Sequence, residues 1–353
     1  MATSEIPAQS LAAIYDEATK SISVRPRATP KPKDTEVLVK VSCSGVCGSD
    51  MHLTRRAIAS LVPKPGIAIF GHEGVGMIAA LGPDVDGSAW RAGDRVGVRW
   101  LHSVCKTCEW CTTGFQSLCV ARRITSVDVD GAFAQYAIAD STYLVRIPDG
   151  VSDEHAAPIL CAGVTVYKAL KVAQLRPGSW VAIAGAGGGL GHLAIQYAKA
   201  MGYKALALDA KKRDICLKLG ADVYVDFLES KDAVQEVIEA TNGGAHGVLV
   251  TASSTKAYHD APKYTRRAGT MICVGVSETP TQIPSTPEDF VIRGIKFMGS
   301  STGNIQDTDE ALEFLAKGKI KPIIAEKNYR DLDQVMDDMY NLRLEGRVVV
   351  KVD

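Results

Sequence analysis

The chain has 353 residues with 40 basic and 40 acidic side chains, so its formal charge is zero. That balance argues against a general binder of nucleic acid or of acidic membranes, which needs a basic surface. The length predicts two domains, and a hydrophobic share of 46% is that of an ordinary globular enzyme or binding protein.

The first residues, MATSEIPAQS, lack the basic region and apolar run of a secretory signal. Every apolar run is interrupted by Gly, Lys or Asp before it reaches membrane-spanning length. We therefore expect a cytoplasmic protein with no membrane partner. The nine cysteines are then expected to be metal ligands or free thiols, because the cytosol is reducing.

The segment from about residue 35 to 150 is predicted to be rich in short strands. Glu36 to Val41 alternates in the way of a half-buried strand. Isolated glycines in the later strand-like runs, GHEGVGMIAALG and RAGDRVGV, indicate bulges or close backbone approach. A β-rich domain of the barrel kind fits this pattern best.

From about residue 165 onward, predicted strands alternate with helices. WVAIAGAG predicts a buried strand that enters a glycine turn, and GLGHLAIQYAKAMG predicts a helix that ends at a glycine. Further strands are expected at KALALD, GVLVTA and TMICVGV, with a helix at KKRDICLKLGA. This alternation predicts an α/β domain with a parallel sheet covered by helices on both faces. Beyond about residue 300 we expect helices at DTDEALEFLAKG and DLDQVMDDMYNLRLEG and a strand at RVVVKVD.

Four cysteines lie within fifteen residues: Cys105, Cys108, Cys111 and Cys119. Their C-x2-C-x2-C-x7-C spacing lets the chain curl around one ion, and four thiolates suit a tetrahedral Zn²⁺ with no open position. On ligand type alone a redox pair, chance clustering or an iron–sulfur cluster are alternatives. We expect a structural zinc site, because a closed shell of thiolates leaves no room for substrate.

Cys47, His72 and Cys161 are far apart in sequence, and each one alone is as easily a buried cysteine or a hydrogen-bonded histidine. Together, two thiolates and one imidazole would leave the fourth position of a zinc ion open, as a catalytic zinc requires. Their flanking sequences are GVCGSDMH, GHEGVG and PILCAGVTVYKAL.

These flanks, with GDRVGV, the four-cysteine loop, GGGLGHLAIQYAKAMG and EGRVVV, resemble the zinc-containing medium-chain alcohol dehydrogenases, above all the tetrameric yeast and bacterial type. The resemblance covers nearly the whole chain. It implies a GroES-like, β-rich catalytic domain at residues 1–164 and 300–353 that carries both zinc sites. It also implies a Rossmann NAD-binding domain at 165–299 and a homotetramer with two zinc ions per chain.

By this resemblance Cys47, His72 and Cys161 are the ligands of the catalytic zinc. Glu73 matches an acidic residue near the metal, which ligates zinc when no substrate is bound. Asp50 matches a carboxylate that orients His72, fixes its tautomer and raises its basicity.

The resemblance also implies a proton relay and a substrate pocket. Ser49 matches a hydroxyl that takes the proton of the alcohol, and His52 matches the histidine that passes it to solvent. Without the resemblance, Ser49 is as well explained as a turn residue and His52 as a surface residue. Trp100 matches an aromatic residue that lines the pocket.

The glycine turn of the second domain carries the expected cofactor site. Glycines there allow a tight turn and let backbone N–H groups meet a pyrophosphate at the helix N-terminus. Asp209 ends the next predicted strand, where a carboxylate binds the adenosine ribose and repels a 2′-phosphate. This favours NAD over NADP, although Lys211, Lys212 and Arg213 could offset that repulsion. By turn position or by resemblance, the expected cofactor residues are Gly187, Gly188, Gly189, Leu190, Gly191, Asp209, Lys212, Val274, Val276 and Arg347.

Three departures from the yeast type change the expected binding properties. Gly48 stands where that type has a histidine facing the pyrophosphate, so we expect weaker cofactor binding. The loop after His52, LTRRAIASLVPKPGIAIF, lacks a second pocket tryptophan, and Val276 replaces a methionine. Both changes remove bulk, which predicts a pocket roomier than that of an ethanol-specialised enzyme.

The predicted function is reversible hydride transfer between a primary alcohol or aldehyde and NAD(H). One alternative is an NADPH-dependent aldehyde reductase of secondary metabolism with the same catalytic residues. A second is a nicotinamide-binding protein without catalysis, and a third is a polyol dehydrogenase, which PILCAGVTVYKAL disfavours. Cys43, Cys216 and Cys273 receive no role.

Overall fold

The structure is a computed structural model that describes residues 5–58, 61–277 and 280–353. The described residues form two compact units. The first unit takes its residues from Met1–Cys161, Gly303–Ala316 and Ile324–Asp353, and the second from Ala162–Thr302 and Lys317–Ile323.

Up to residue 161 the chain is dominated by strands. They are β1 (Gln9–Asp16), β2 (Ser21–Ala28), β3 (Glu36–Val46), β4 (Gly74–Leu81), β5 (Arg95–Val98), β6 (Leu101–Ser103), β7 (Arg123–Ile124), β8 (Tyr136–Asp140) and β9 (Val145–Arg146). The helices are α1 (Gly48–Arg55), α2 (Glu109–Thr112) and α3 (Asp153–Ala156). Short 3-10 helices lie at Gln116–Leu118, Ser141–Tyr143 and Ala157–Leu160.

From residue 162 strands and helices alternate. The strands are β10 (Trp180–Ala184), β11 (Lys204–Asp209), β12 (Val223–Asp226), β13 (Ala245–Val250), β14 (Thr265–Cys273) and β15 (Lys296–Gly299). The helices are α4 (Ala162–Val172), α5 (Gly191–Ala200), α6 (Arg213–Lys218), α7 (Ala233–Ala240), α8 (Thr255–Tyr264) and α9 (Pro287–Val291). The remaining elements are α10 (Ile305–Ala316), β16 (Ile324–Asn328), a 3-10 helix at Tyr329–Asp331, α11 (Leu332–Tyr340) and β17 (Arg347–Lys351).

The main sheet of the first unit brings the candidate metal ligands to adjacent strand ends. Its strand order is β16-β17-β3-β4-β5-β9, with β8 also paired to β3. β3 and β4 are antiparallel, and Ser44 pairs with Gly74 at the start of β4. Cys47 directly follows β3, and His72 and Glu73 directly precede β4, so the pairing of these strands places the three residues close together. Below them, alternate apolar residues of β3 such as Val37 and Val39 enter the core.

The sheet of the second unit is parallel, with the order β12-β11-β10-β13-β14-β15. β10 is the first of these strands in the chain, and the strand order reverses beside it. This is the doubly wound arrangement, in which the turn after the first strand meets a dinucleotide. Strands buried on both faces read as continuous apolar runs, as VAIA of β10 and VLV of β13 do. The predicted α/β fold class is confirmed.

Element boundaries differ from the sequence prediction in places. The predicted strand Glu36–Val41 is the first part of β3, which continues to Val46. The predicted helix DLDQVMDDMYNLRLEG is wrong in its last turns, because α11 ends at Tyr340 and Leu342 has a φ of 55°. A side chain at that φ interrupts a right-handed helix. The hairpin of β1 and β2 was not predicted.

The segment Lys317–Ile323 belongs to the second unit, although it lies between α10 and β16. The side chain of Gln196 on α5 binds the backbone of this segment through both the carbonyl and the N–H of Lys321. The side-chain amide donates to the Lys321 carbonyl at 3.1 Å and accepts from the Lys321 N–H at 2.8 Å. His192, one turn earlier on α5, accepts from the Ile323 N–H at 3.2 Å.

Candidate active site

Four side chains of the first unit converge on one point. One ligand atom from each of Cys47, His72, Glu73 and Cys161 lies within 4.8 Å of all the others. The Cys47 and Cys161 sulfurs are 4.0 Å apart. Cys47 comes from the end of β3, the next two from the start of β4, and Cys161 from the end of the 3-10 helix Ala157–Leu160. The structure thus brings together all the residues predicted to hold a catalytic zinc.

The donor set fits a zinc ion. Nε2 of His72 is fully buried and has no hydrogen-bond partner, as expected of a nitrogen whose lone pair is kept for a metal. Two thiolates at the usual Zn–S bond length in a tetrahedron stand about 3.8 Å apart. The observed sulfur–sulfur distance of 4.0 Å is close to that value. The neighbouring Cys161 thiol also lowers the pKa of Cys47, with Arg347 and His72 assisting, which favours the thiolate that a metal needs.

Asp50 connects two members of this cluster. It is fully buried on α1, and its Oδ1 accepts from His72 Nδ1 at 3.0 Å and from the Gly71 N–H at 3.0 Å. Its Oδ2 accepts from the Cys47 N–H at 2.9 Å. Because Nδ1 of His72 donates to a carboxylate, the tautomer with an unprotonated Nε2 is favoured, and that nitrogen is the one left for a metal.

Glu73 forms a buried ion pair with Arg347 from β17. Burial raises the pKa of Glu73 to about 7, although the guanidinium opposes this shift. The second carboxylate oxygen of Glu73 has no hydrogen-bond partner. Arg347 was expected at the cofactor pyrophosphate. In the first unit its guanidinium binds Glu73, and the cofactor role of Arg347 stays a prediction.

The two predicted relay residues lie on α1. The Oγ of Ser49 is 3.8 Å from the Cys47 sulfur, so it borders the cluster directly. His52 is half-buried one turn later on the same helix. A Cβ added at Gly48, the first residue of α1, would contact no atom within 4 Å. The Trp100 ring stands edge-on to the His72 ring, with centroids 4.6 Å apart. The predicted pocket aromatic therefore packs against a candidate metal ligand.

The four close cysteines form a second cluster. Ligand atoms of all four lie within 4.8 Å of one another, and the sulfur of Cys105 is 3.9 Å from that of Cys111 and 3.6 Å from that of Cys119. Backbone N–H groups of Thr107 and Cys108 lower the pKa of Cys105 to about 6. Lys106, which directly follows Cys105, has a left-handed backbone conformation with φ 64°, so the chain turns tightly between the first two cysteines. Sulfur–sulfur distances near 3.8 Å are those of thiolates around one zinc.

The second unit gathers the predicted cofactor residues around the turn between β10 and α5. The Gly187 N–H donates to Oδ2 of Asp209 at 2.6 Å, and Lys212 Nζ donates to the Gly187 carbonyl at 3.4 Å. Gly191 begins α5, and a Cβ on it would overlap the carbonyl oxygen of Gly185. Gly188, Gly189 and Leu190 complete the turn. Val274 and Val276 follow β14, and the Val276 side chain is exposed.

Comparison with known proteins agrees with this geometry. Residues 33–149 match the family model described as the alcohol dehydrogenase GroES-like domain, and residues 189–317 match that of the zinc-binding dehydrogenases. An alcohol dehydrogenase from Geobacillus stearothermophilus is 43% identical over 345 residues, which cover 97% of this chain and 99% of that protein.

This chain belongs to the zinc-containing medium-chain alcohol dehydrogenase family.

Solved structures of other family members superpose over almost the whole chain. An alcohol dehydrogenase from the archaeon Aeropyrum pernix has a TM-score of 0.86 at 28% identity, over 97% of this chain and 99% of that one. The acetophenone reductase from Geotrichum candidum in complex with NAD has a TM-score of 0.85 at 26% identity, over 99% and 98%. The predicted family and the predicted GroES-like and Rossmann domains are confirmed.

Two glycines of this family member were not among the predicted site residues. A Cβ on Gly45 of β3 would overlap Oε2 of Glu73, so the carboxylate lies where only a glycine leaves room. Gly185 makes the turn after β10 with a φ of 85°. The sequence offered a signal for each of them. Gly45 is an isolated glycine within a strand pattern, and Gly185 is the first glycine of the glycine-rich turn GAGGGLG.

No helix in the described part of the chain is long and apolar enough to cross a membrane.

Proposed function

We propose that this protein is a zinc-dependent alcohol dehydrogenase that transfers hydride reversibly between a primary alcohol or aldehyde and NAD(H). The observation that carries the proposal is the convergence of Cys47, His72 and Cys161, with the buried Nε2 of His72 left without a partner. Two thiolates and one imidazole leave a position for substrate.

Cys47, His72 and Cys161 would hold the catalytic zinc, and the four clustered cysteines would hold a structural one. A catalytic zinc supplies a Lewis acid that lowers the pKa of an alcohol, while NAD supplies the hydride acceptor. Asp50 keeps the His72 ring in its binding tautomer. The carboxylate of Glu73, held by Arg347, lies beside the same ligands and would itself bind the zinc when no substrate is present.

Ser49 and His52 would handle the alcohol proton. The Ser49 hydroxyl, 3.8 Å from the Cys47 sulfur, is placed to accept a proton at Oγ as it gives up its own. His52, on the same helix, would receive that proton by way of the cofactor ribose and give it to solvent. Trp100 forms an apolar wall beside His72, which keeps bulk water away from the reacting oxygen.

The preference for NAD rests on Asp209. Its carboxylate ends β11 next to the glycine turn, where a 2′-phosphate would meet a negative charge. The alternative is an NADPH-dependent aldehyde reductase, which the basic residues Lys211, Lys212 and Arg213 favour. Lys212 lies against the glycine turn itself.

The proposed pocket is roomier than that of an ethanol-specialised enzyme and accepts longer or aromatic primary alcohols and aldehydes. The support lies in Val276 and in the loop that lacks a second tryptophan, part of which (residues 59 and 60) is outside the described residues.

We also propose a cytoplasmic homotetramer. β15 is an edge strand of the parallel sheet, and Phe290, Val291 and Ile292 nearby expose apolar surface that a second copy would cover. All nine cysteines are free thiols, which fits a reducing compartment.

The decisive experiment is a panel of alcohols and aldehydes measured with NAD and NADP, together with metal analysis. We expect two zinc ions per chain, NAD preferred, and hexanol, benzyl alcohol or cinnamyl alcohol turned over at least as well as ethanol. A strong preference for NADP would select the reductase alternative. Fewer than two zinc ions per chain together with no turnover would support the alternative of a non-catalytic nicotinamide-binding protein.

A further inference from the structure

His192 is a fully buried histidine in the first turn of α5, the helix that follows the glycine turn of the second unit. Both nitrogens of its ring form hydrogen bonds. Nδ1 lies 3.1 Å from the carbonyl oxygen of Gly188, and Nε2 lies 3.2 Å from the backbone nitrogen of Ile323. The imidazole therefore contacts the expected cofactor turn on one side and the segment Lys317–Ile323 on the other.

These two contacts fix the position of the ring proton. The backbone N–H of Ile323 can only donate, so Nε2 of His192 accepts and carries no proton. The ring is therefore neutral, with its proton on Nδ1, which donates to the Gly188 carbonyl. The backbone N–H of His192 donates to the same carbonyl at 3.0 Å. Two donors of one residue thus hold this oxygen.

The peptide unit that carries this carbonyl has a glycine on each side, Gly188 and Gly189. Glycine has no Cβ, so the backbone dihedrals on both sides of the peptide unit have wide freedom. The turn before it is closed, because the Gly188 N–H donates to the Gly185 carbonyl at 3.1 Å. The two hydrogen bonds from His192 are what counter the rotational freedom of the peptide unit itself.

The orientation of this peptide unit decides which of its polar groups a ligand would meet. In a trans peptide unit the C=O and the N–H point in opposite directions. The Gly188 carbonyl points along α5 to His192, so the Gly189 N–H points the other way, out of the N-terminal end of the helix. An N–H group in that direction can bind an anion. A peptide unit rotated by half a turn would present the carbonyl oxygen, which repels one.

We propose that His192 is a positioning residue for the cofactor. Its Nδ1 proton keeps the peptide unit between Gly188 and Gly189 in the orientation that presents an N–H group to the pyrophosphate. The hydrogen bond from Ile323 keeps the ring in the tautomer that this role requires. The inference rests on the proposed function, since it takes the glycine turn to be the pyrophosphate site of NAD(H).

Two variants separate the two hydrogen bonds of the ring. The amide nitrogen of an asparagine can take the place of Nδ1, and the amide oxygen of a glutamine can take that of Nε2. His192→Asn therefore retains a donor for Gly188, whereas His192→Gln retains only the acceptor for Ile323. In His192→Gln we expect the Kd for NADH to rise about three- to tenfold, which corresponds to one hydrogen bond. His192→Asn should recover most of the affinity.

Fluorescence titration of the zinc-loaded protein measures these constants without turnover. ADP-ribose has the pyrophosphate but lacks the nicotinamide, so its Kd should rise by the same factor in His192→Gln. Gln196→Leu is the matched control, because the Gln196 amide binds backbone atoms of Lys321 and His192 one turn further along α5. This variant should lower Tm and leave the Kd for NADH unchanged.

A crystal structure of the wild-type complex with NAD tests the geometry without any substitution. We expect the Gly189 N–H within hydrogen-bond distance of a pyrophosphate oxygen, while the Gly188 carbonyl stays bound to His192. A Gly188 carbonyl that has turned away from His192 in the complex would overturn the inference.

The titrations can overturn it as well. Equal Kd values in wild type and His192→Gln would show that the ring does not position the turn. A rise in His192→Asn or Gln196→Leu as large as that in His192→Gln would assign the effect to the packing of α5 instead. If the wild-type protein bound neither NADH nor ADP-ribose, the proposed function itself would be wrong, and the inference with it. Wild-type binding therefore distinguishes the two failures.

Discussion

Asp50 accepts a hydrogen bond from Nδ1 of His72 at 3.0 Å, and the same carboxylate accepts from the Cys47 N–H at 2.9 Å. One buried side chain therefore fixes the directions of two candidate zinc ligands from different strands. Loss of such a partner typically reduces metal affinity about 10–100-fold.

Asp50→Asn should weaken zinc binding at the catalytic site by about that factor, because an amide supplies no negative charge to the imidazole. Competition with a chelator, followed by zinc release, measures the change. Asp86→Asn on the surface is the control and should not differ from wild type. Equal zinc retention in Asp50→Asn and wild type would show that Asp50 does not support the metal.

Gly45→Ala should displace Glu73, because the new methyl group would overlap its Oε2. Overpacking of this kind costs about 1–3 kcal/mol of unfolding free energy. We also expect a lower kcat, since Glu73 and Arg347 must move together. Denaturant unfolding and steady-state kinetics measure both effects. Gly87→Ala, where a Cβ meets nothing within 4 Å, is the matched control. If both variants behave alike, the tight fit around Glu73 has no consequence.

Gly48→His should lower the Kd for NADH, because the imidazole would restore a donor that faces the pyrophosphate in the yeast type. The backbone tolerates the change, since a Cβ at this position meets nothing within 4 Å. Fluorescence titration measures the constant, and Gly48→Ala separates the effect of the ring from that of the added Cβ. An unchanged or higher Kd in Gly48→His would contradict the prediction.

Asp209→Ser should shift preference from NAD towards NADP. The carboxylate repels a 2′-phosphate, and hydrogen bonds to a charged group are worth about 1.5–3 kcal/mol, or roughly 10–100-fold in kcat/KM for NAD. Because Asp209 also accepts from the Gly187 N–H at 2.6 Å, the KM for both cofactors should rise somewhat. The ratio of kcat/KM values is the measurement. A ratio that stays fixed would remove Asp209 as the specificity residue.

Cys111→Ser should halve the zinc content and lower Tm, because a structural site holds its loop through all four thiolates. Metal analysis and thermal unfolding measure the two effects. Cys273→Ser, at a half-buried cysteine outside both clusters, should keep both zinc ions. Full zinc content in Cys111→Ser would exclude the proposed ligand set.

The sequence alone could predict those parts of the site whose residues lie close together along the chain. Cys105 to Cys119 lie in one loop, so their spacing alone suggests a metal. Cys47 and Cys161 are more than a hundred residues apart, and only the flanking motifs linked them. The ion pair between Arg347 and Glu73 joins two residues that are 274 positions apart in sequence. Gly45 depends on the register of β3 against β4, which no local pattern specifies.

The pairing of β17 with β3 has a consequence for how the protein is made. Val348 lies opposite Val46, directly beside the residues that carry the metal ligands. During synthesis β3 leaves the ribosome long before β17 has been translated. The edge of β3 that pairs with β17 therefore stays unpaired while the second unit is translated and can fold. The metal-binding sheet is begun first and completed last. In that interval its open edge is exposed to pairing with other chains.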